Sequence, residues 1–349
     1  MHMADALLSP AVGGVMWGVT LGTITRCAKK VTSDPDEQRL PLMGVAGAFV
    51  FAAQMINFTI PATGSSGHIG GGLLLTLLLG PPAAFLVMAA VLSMQALFFA
   101  DGGILALGCN IWNLAAYPCF VAYPFVYRPL APSGVRPWRV SAGALLGAIV
   151  ALQLGAGSVV LETFLSGRSE LPLRPFLLLM QPIHLAIGVV EGVITAATLR
   201  FLDKVDPGLL DRVCLPSRLA VVGTPRRPIA WLLVLALLMG GVVSWFASVK
   251  PDGLEWVIQR VGGVAELPES ADGIPAALRA VQIRTAILPE YTFPSNVEAP
   301  AKTDAWPRMD LGTSFSGVLG ATVIIGVMSL AGMTIRIVRR RTKNIGMRT

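Results

Sequence analysis

The sequence predicts an all-α, polytopic transmembrane bundle, a seven-helix core followed by two further C-terminal transmembrane helices. Three observations predict it. Hydrophobic residues make up 54% of the chain and charged residues only 13%, where a soluble domain carries about 25% charged residues, and the mean hydropathy is +0.68. Apolar runs of spanning length recur throughout the 349 residues. Basic residues gather in short loops between those runs, which explains the net charge of +7 as an orientation signal rather than a nucleic-acid surface.

The first run, 6–26, starts after a short polar opening, and the second covers 41–58. The third, 69–79, ends at Gly80-Pro81-Pro82 and is too short to span, so it reads as a short helix buried among neighbours. Runs at 83–100, 103–126, 139–163 and 175–199 complete the core. A basic stretch over 206–228 serves as cytoplasmic linker between a core of 1–205 and an accessory region of 229–349. That region has runs at 229–249 and 313–337 around an external loop at about 250–310. With the N-terminus outside, the inner loops hold Arg26, Lys29, Lys30 and Arg39, then Arg128, Arg136 and Arg139, then Arg200 to Arg227. The tail Arg339-Arg340-Arg341-Thr342-Lys343 also falls inside. Segment 250–312 has six basic and nine acidic residues, a net −3. The expected location is the inner cell membrane, multi-pass, with the C-terminus cytoplasmic.

Cys27, Cys109, Cys119 and Cys214 show no paired metal spacing and read as small apolar packers. No basic stretch precedes the first apolar run, so no cleaved signal is expected and Met1 is expected to remain the amino terminus. Gly14, Gly18 and Gly22 form one small-residue stripe, and Gly143, Gly147, Ala151 and Gly155 another. Such stripes suit packing inside the subunit or docking to another membrane subunit.

The chain contains three histidines, His2, His68 and His184. His2 follows the α-amine of Met1, and His68 lies in the Gly-rich turn Gly64-Ser65-Ser66-Gly67-His68-Ile69-Gly70-Gly71-Gly72. The amine and the His2 amide nitrogen close a five-membered chelate ring on a divalent metal. That amide and the imidazole Nδ1 close a six-membered one. A nitrogen from His68 makes a square-planar set, the geometry that suits Ni(II) or Cu(II). Binding needs deprotonated nitrogens, so it should release protons and weaken in acid. The plainer alternative is a chance histidine and a turn that only links two helices.

Gln54 with Asn57, and Asn110 with Asn113, each share a helix face at i, i+3 and suit either a shell that orients the histidines or interhelical hydrogen bonds. His184 and Glu191 lie seven apart on one face of the seventh helix. A structural or coupling role is expected for them, because His184 should sit well below the outer turn. Glu162, near an outer helix end, is a possible cation attractor.

The opening MHMADALLSP resembles the Met-His-Ile-Pro-Asp-Gly start of the CbiM/NikM family, the substrate-binding components of cobalt and nickel energy-coupling-factor (ECF) transporters. Further blocks stand in family order: Phe51 to Phe58, GSSGHIGGG at 64–72, ALFFADGGILALGCNIWN at 96–113, and His184 to Gly192. The resemblance covers roughly 1–200 and implies that Met1, His2 and His68 hold the ion. Ala4 and Ala6 depart from the family's Pro and Gly, while Asp5 is retained. Pro251-Asp252-Gly253-Leu254-Glu255 is similar to the external PDGLE segment that some members fuse to the core, related to the accessory CbiN/NikN subunits.

The resemblance further implies a transmembrane coupling protein (CbiQ/NikQ-like) and an ABC ATPase (CbiO/NikO-like) as partners, the lipid bilayer as surroundings, and Co(II) or Ni(II) as the transported ion rather than a cofactor. The sequence has no phosphate-binding GxxxxGK[ST] loop and no Gly-Lys dipeptide, so no ATP hydrolysis of its own is expected. An intramembrane metal-dependent hydrolase is the competing enzyme class, but no HExxH occurs and the ligand set leaves no open position for water. A membrane metal sensor would need a larger cytoplasmic domain than the inner loops provide. Nickel and cobalt members share one motif, so the metal stays undecided between them.

Overall fold

A computed structural model describes residues 2–33, 39–132, 136–168, 171–207, 226–263, 267, 272–293, 307 and 309–346. A helix occupies each of the nine apolar runs. They are α1 (Pro10–Ser33), α2 (Arg39–Gln54), α3 (Gly72–Leu79), α4 (Pro81–Phe98), α5 (107–130), α6 (Pro137–Ser166), α7 (Leu173–Val205), α8 (Arg226–Gly241) and α11 (Leu311–Gly346). Between the last two lie the short helices α9 (Gly253–Gly262) and α10 (Gly273–Thr285). Among the described residues, α4, α6, α7 and the part of α11 over Leu311–Thr334 are long and apolar enough to cross a bilayer. The linker residues 208–225, Cys214 among them, lie outside the described residues, as does Met1.

Every residue of the eight-residue α3 is buried. At 1.5 Å per residue it extends about 12 Å, far less than the hydrocarbon thickness, and it is the short inner helix the sequence suggests. Pro81 ends it and starts α4, because a proline fits the first helical turn and cannot continue the preceding ladder. In α5 the backbone widens into π-helical turns over Trp112–Tyr127, where Pro118 and Pro124 each withdraw an amide donor.

Within a membrane, apolar burial gives no drive between helices, so close packing decides their arrangement. A methyl on Gly192 of α7 would lie 2.5 Å from Leu145 Cα of α6, and one on Gly188 would lie 2.9 Å from Ile149 Cα. These glycines let the two long helices touch backbone to backbone. The stripe on α6 faces α3 and α5, with Gly147 against Leu73 and Gly143 against Tyr127. Gly14, Gly18 and Gly22 behave differently. They are exposed on α1, with no atom within 4 Å of where a methyl would stand. Outward faces of α6 and α7 carry Leu146, Leu161, Leu178 and Val193 in the open, the composition that lipid tails solvate.

The C-terminal helices pack on α2. A methyl on Gly47 would sit 2.9 Å from Ile324 of α11, and one on Gly320 would sit 2.2 Å from the Phe51 ring. Gly240 of α8 and Gly317 of α11 meet backbone to backbone. The PDGLE residues start α9 with a reciprocal cap: Glu255 N–H donates to Asp252 Oδ1 (2.8 Å) and Asp252 N–H to Glu255 Oε2 (3.0 Å). Ser66 N–H donates to Pro251 O (2.8 Å), which ties this start to the hairpin of β1 (Phe58–Thr59) and β2 (Ser66–Gly67).

A candidate metal-capture site

His2 and His68, 66 positions apart in sequence, meet with ring centroids 5.0 Å apart and the rings tilted by 31°. Two separately anchored segments bring them there. Residues 2–4 lie extended against the α4–α5 connection: Met3 N–H donates to Asn110 Oδ1 (2.8 Å), Asn110 Nδ2 donates to Met3 O (3.2 Å), and Gly103 N–H donates to Met3 O (2.9 Å). Asp5 Oδ1 accepts Ala106 N–H (2.9 Å), and a methyl on Gly103 would lie only 1.8 Å from that oxygen. The retained Asp5 and the glycine opposite it therefore fix the entry of the strand.

The His68 turn folds inward rather than over the surface. Gly70 N–H donates to Glu191 Oε2 (2.7 Å) and Gly71 N–H to Glu191 Oε1 (3.1 Å). Gln54 Nε2 donates to Gly70 O (2.8 Å), and Gln95 Nε2 donates to Gln54 Oε1 (2.9 Å). Gly67 packs against Ile187 of α7, with no space for a methyl. Gly71 has a φ of +75°, which glycine adopts without the Cβ penalty.

This inward fold corrects the expectation for His184. It lines one small cavity with His68, Gly67, Gly70, Asp252 and Gly253 instead of lying far beneath the turn. Its Nδ1 faces Met180 O (2.8 Å), and its Nε2 is buried without a hydrogen-bond partner. Glu191 anchors the His68 turn. The four intramembrane amides divide. Gln54 and Asn110 hold the two histidine-bearing segments, whereas Asn113 donates to Glu162 Oε2 (2.8 Å) between α5 and α6. Asn57 falls outside the expected pattern, because α2 ends at Gln54 and the chain turns into the hairpin, where Asn57 O accepts Ser248 N–H (2.7 Å). Glu162 is buried on Asn113 rather than exposed to attract cations.

Asp101 escaped the sequence reading. Its Oδ1 contacts His2 Nδ1 (2.7 Å) and its Oδ2 accepts from Tyr291 Oη (2.5 Å). Burial alone would push the carboxyl up, but the charge and hydrogen bond of His2, with the Tyr291 hydroxyl, hold it well below the ordinary carboxylate range. The signal available was a lone acid in the apolar, Gly-flanked run Phe98 to Gly103.

Burial foremost lowers the His68 pKa to about 3. Its ring is therefore neutral at neutral pH, the form that ligates. Between the ordinary imidazole value and about 3, the unfolded chain takes a proton that the folded one refuses, so stability falls as pH falls through that window. In ion-free protein, thermal melting is expected to drop across that range, and the drop is expected to shrink in His68→Ala.

Among the described residues, no group of three or more His, Cys, Asp or Glu side chains is placed to hold a metal.

A family model described as cobalt uptake substrate-specific transmembrane region matches residues 2–209, and a PDGLE domain model matches 226–337. The fused nickel transport protein NikMN of Rhodobacter capsulatus is 28% identical over 97% of this chain and 99% of its own length. The cobalt transport protein CbiM of Geobacter sulfurreducens is 28% identical over 75% of this chain and 77% of its own. The crystal structure of a truncated transition metal transporter superposes with a TM-score of 0.51 at 33% identity, covering 58% of this chain and 99% of that one.

Proposed function

The chain belongs to the cobalt uptake substrate-specific transmembrane family, with a PDGLE domain behind it, and from that premise we propose that it captures Ni(II) or Co(II) outside the cell for ECF-type import. The observation that carries this reading is the meeting of His2 and His68 at 5.0 Å on two rigidly anchored segments. On this reading the α-amine of Met1, the His2 amide and Nδ1, and one His68 nitrogen bind the ion. His68 Nδ1 lies 3.0 Å from Ile69 O. As the N–H donor of that bond it leaves Nε2 with the lone pair.

Seven helices form the capture core, 1–205, with 206–228 as cytoplasmic linker. The accessory region, 229–349, contributes α8, α11 and the external cover. The N-terminus lies outside and the C-terminus in the cytoplasm. A transmembrane coupling protein and an ABC ATPase supply the energy, and the exposed Gly14-Gly18-Gly22 face of α1 is a docking surface for the former. No catalytic chemistry is assigned to this chain.

The test is metal content and affinity of the purified full-length protein. One equivalent of Ni(II) or Co(II) in the wild type, lost in His68→Ala, supports the reading. A metal-free wild type with no measurable affinity for either ion overturns it.

A further inference from the structure

The external segment of the PDGLE region reaches the metal pair through one side chain. α10 and the turn behind it grip the α4–α5 connection: Gln282 Nε2 donates to Ala96 O (2.9 Å) and Gly102 O (2.7 Å), Leu288 N–H to Phe98 O (3.1 Å), and Glu290 N–H to Phe99 O (2.9 Å). From that turn the Tyr291 ring stacks on Phe99 at 4.6 Å, and its hydroxyl donates to Asp101. Burial first, and then the Asp101 charge, raise the Tyr291 pKa well above its ordinary value, so the hydroxyl stays a donor.

Backbone strain collects at both ends of this contact. Among the described residues four non-glycine residues have positive φ, and three of them adjoin it: Ala100 (+54°) before Asp101, then Glu290 (+51°) and Tyr291 (+62°). Such conformations are costly and persist where surrounding structure over-determines them.

The His2 ring explains what the contact is for. Its Nδ1 faces Asp101, while its Nε2 is buried without a partner. A chelate through the His2 amide needs Nδ1, because Nε2 cannot close the six-membered ring. A half-turn about Cβ–Cγ frees Nδ1 for the ion, puts Cδ2–H where Nδ1 stood and carries Nε2 to the Asp101 side of the ring, so that a small shift of the carboxylate meets it. The carboxylate then accepts from Nε2–H, the usual partner of a metal-bound imidazole. Tyr291, on a turn hydrogen-bonded to Phe98 O and Phe99 O, keeps the carboxylate on that side of the ring.

The geometry points to Tyr291 as a positioning residue of metal capture, which holds Asp101 so that His2 can turn into the chelate and stay there. This rests on the ligand reading above. It gives the fused region a defined chemical task, since a side chain of the accessory segment orients a ligand of the core.

The experiment titrates full-length protein in detergent with Ni(II) and with Co(II), and records the Ni(II) d–d absorption of each complex. Wild type is compared with Tyr291→Phe, which keeps the stacked ring, with Asp101→Asn, and with the double variant. Outer-shell partners of this kind are worth about 10–100-fold in metal affinity. Tyr291→Phe is expected near the low end and Asp101→Asn toward the high end. Both should shift the d–d band and show no further loss of affinity when combined, with a fall in ion-free melting from the lost hydrogen bonds to the buried carboxylate. Wild-type affinity in either single variant overturns the relay. So does a Tyr291→Phe loss that persists in full on the Asp101→Asn background. A wild type that binds neither ion overturns the ligand reading, and the relay with it.

Discussion

Replacing His2 with alanine is expected to lower Ni(II) affinity by about two orders of magnitude. Sites of four strong ligands bind with an apparent 10–16 kcal/mol, so one ligand is worth roughly 3 kcal/mol. The fold should survive the change, because Met3 and Asp5 hold the segment as well as the His2–Asp101 contact does. Isothermal titration of the purified protein, with His184→Ala alongside, reads the outcome. His184 lines the neighbouring cavity, and its variant is expected to lose less than about tenfold, as a group outside the ligand set. If His184→Ala loses the metal and His2→Ala retains it, the ion sits in the cavity that His184 lines with His68 and the amino-terminal chelate is wrong.

The second large effect is expected at Glu191. Both carboxyl oxygens accept backbone N–H groups of the His68 turn, and each hydrogen bond to a charged group is worth about 1.5–3 kcal/mol. Glu191→Leu leaves two buried donors without partners and is expected to destabilise the ion-free protein by about 3–5 kcal/mol. Glu191→Gln is expected to cost about half as much, since one amide atom is itself a donor and cannot accept. Thermal melting in detergent measures the cost, and metal affinity should fall by about 10–100-fold with displacement of His68. Unchanged melting in Glu191→Leu would show that the turn is held without this anchor.

Helix positions were largely legible in the sequence because apolar run length and proline or glycine boundaries are local signals. Ends were less so. The run 41–58 outlasts its helix by four residues, since Met55 to Phe58 are apolar enough to continue but leave for the hairpin. The same slip placed Asn57 beside Gln54. For the site, His2 and His68 stood out by their neighbours in sequence, and the structure puts them side by side. Asp101 did not, because its importance lies in a hydroxyl 190 positions away.

The two glycine stripes show the limit most directly. Both follow the same four-residue period, yet one packs against Leu73 and Tyr127 while the other faces outward. Periodicity states which residues share a helix face, but the direction of that face depends on the helices around it.

By itself the sequence determined a membrane-embedded helical chain, its approximate spans and the two histidines of interest, because hydropathy and chelate chemistry are properties of neighbouring residues. Only the tertiary structure decided that the Gly-rich turn dips onto Glu191, that His184 shares its cavity, and that Tyr291 reaches Asp101. Those contacts join residues more than a hundred positions apart, and which distant segments meet is set by packing of the whole bundle rather than by any local pattern.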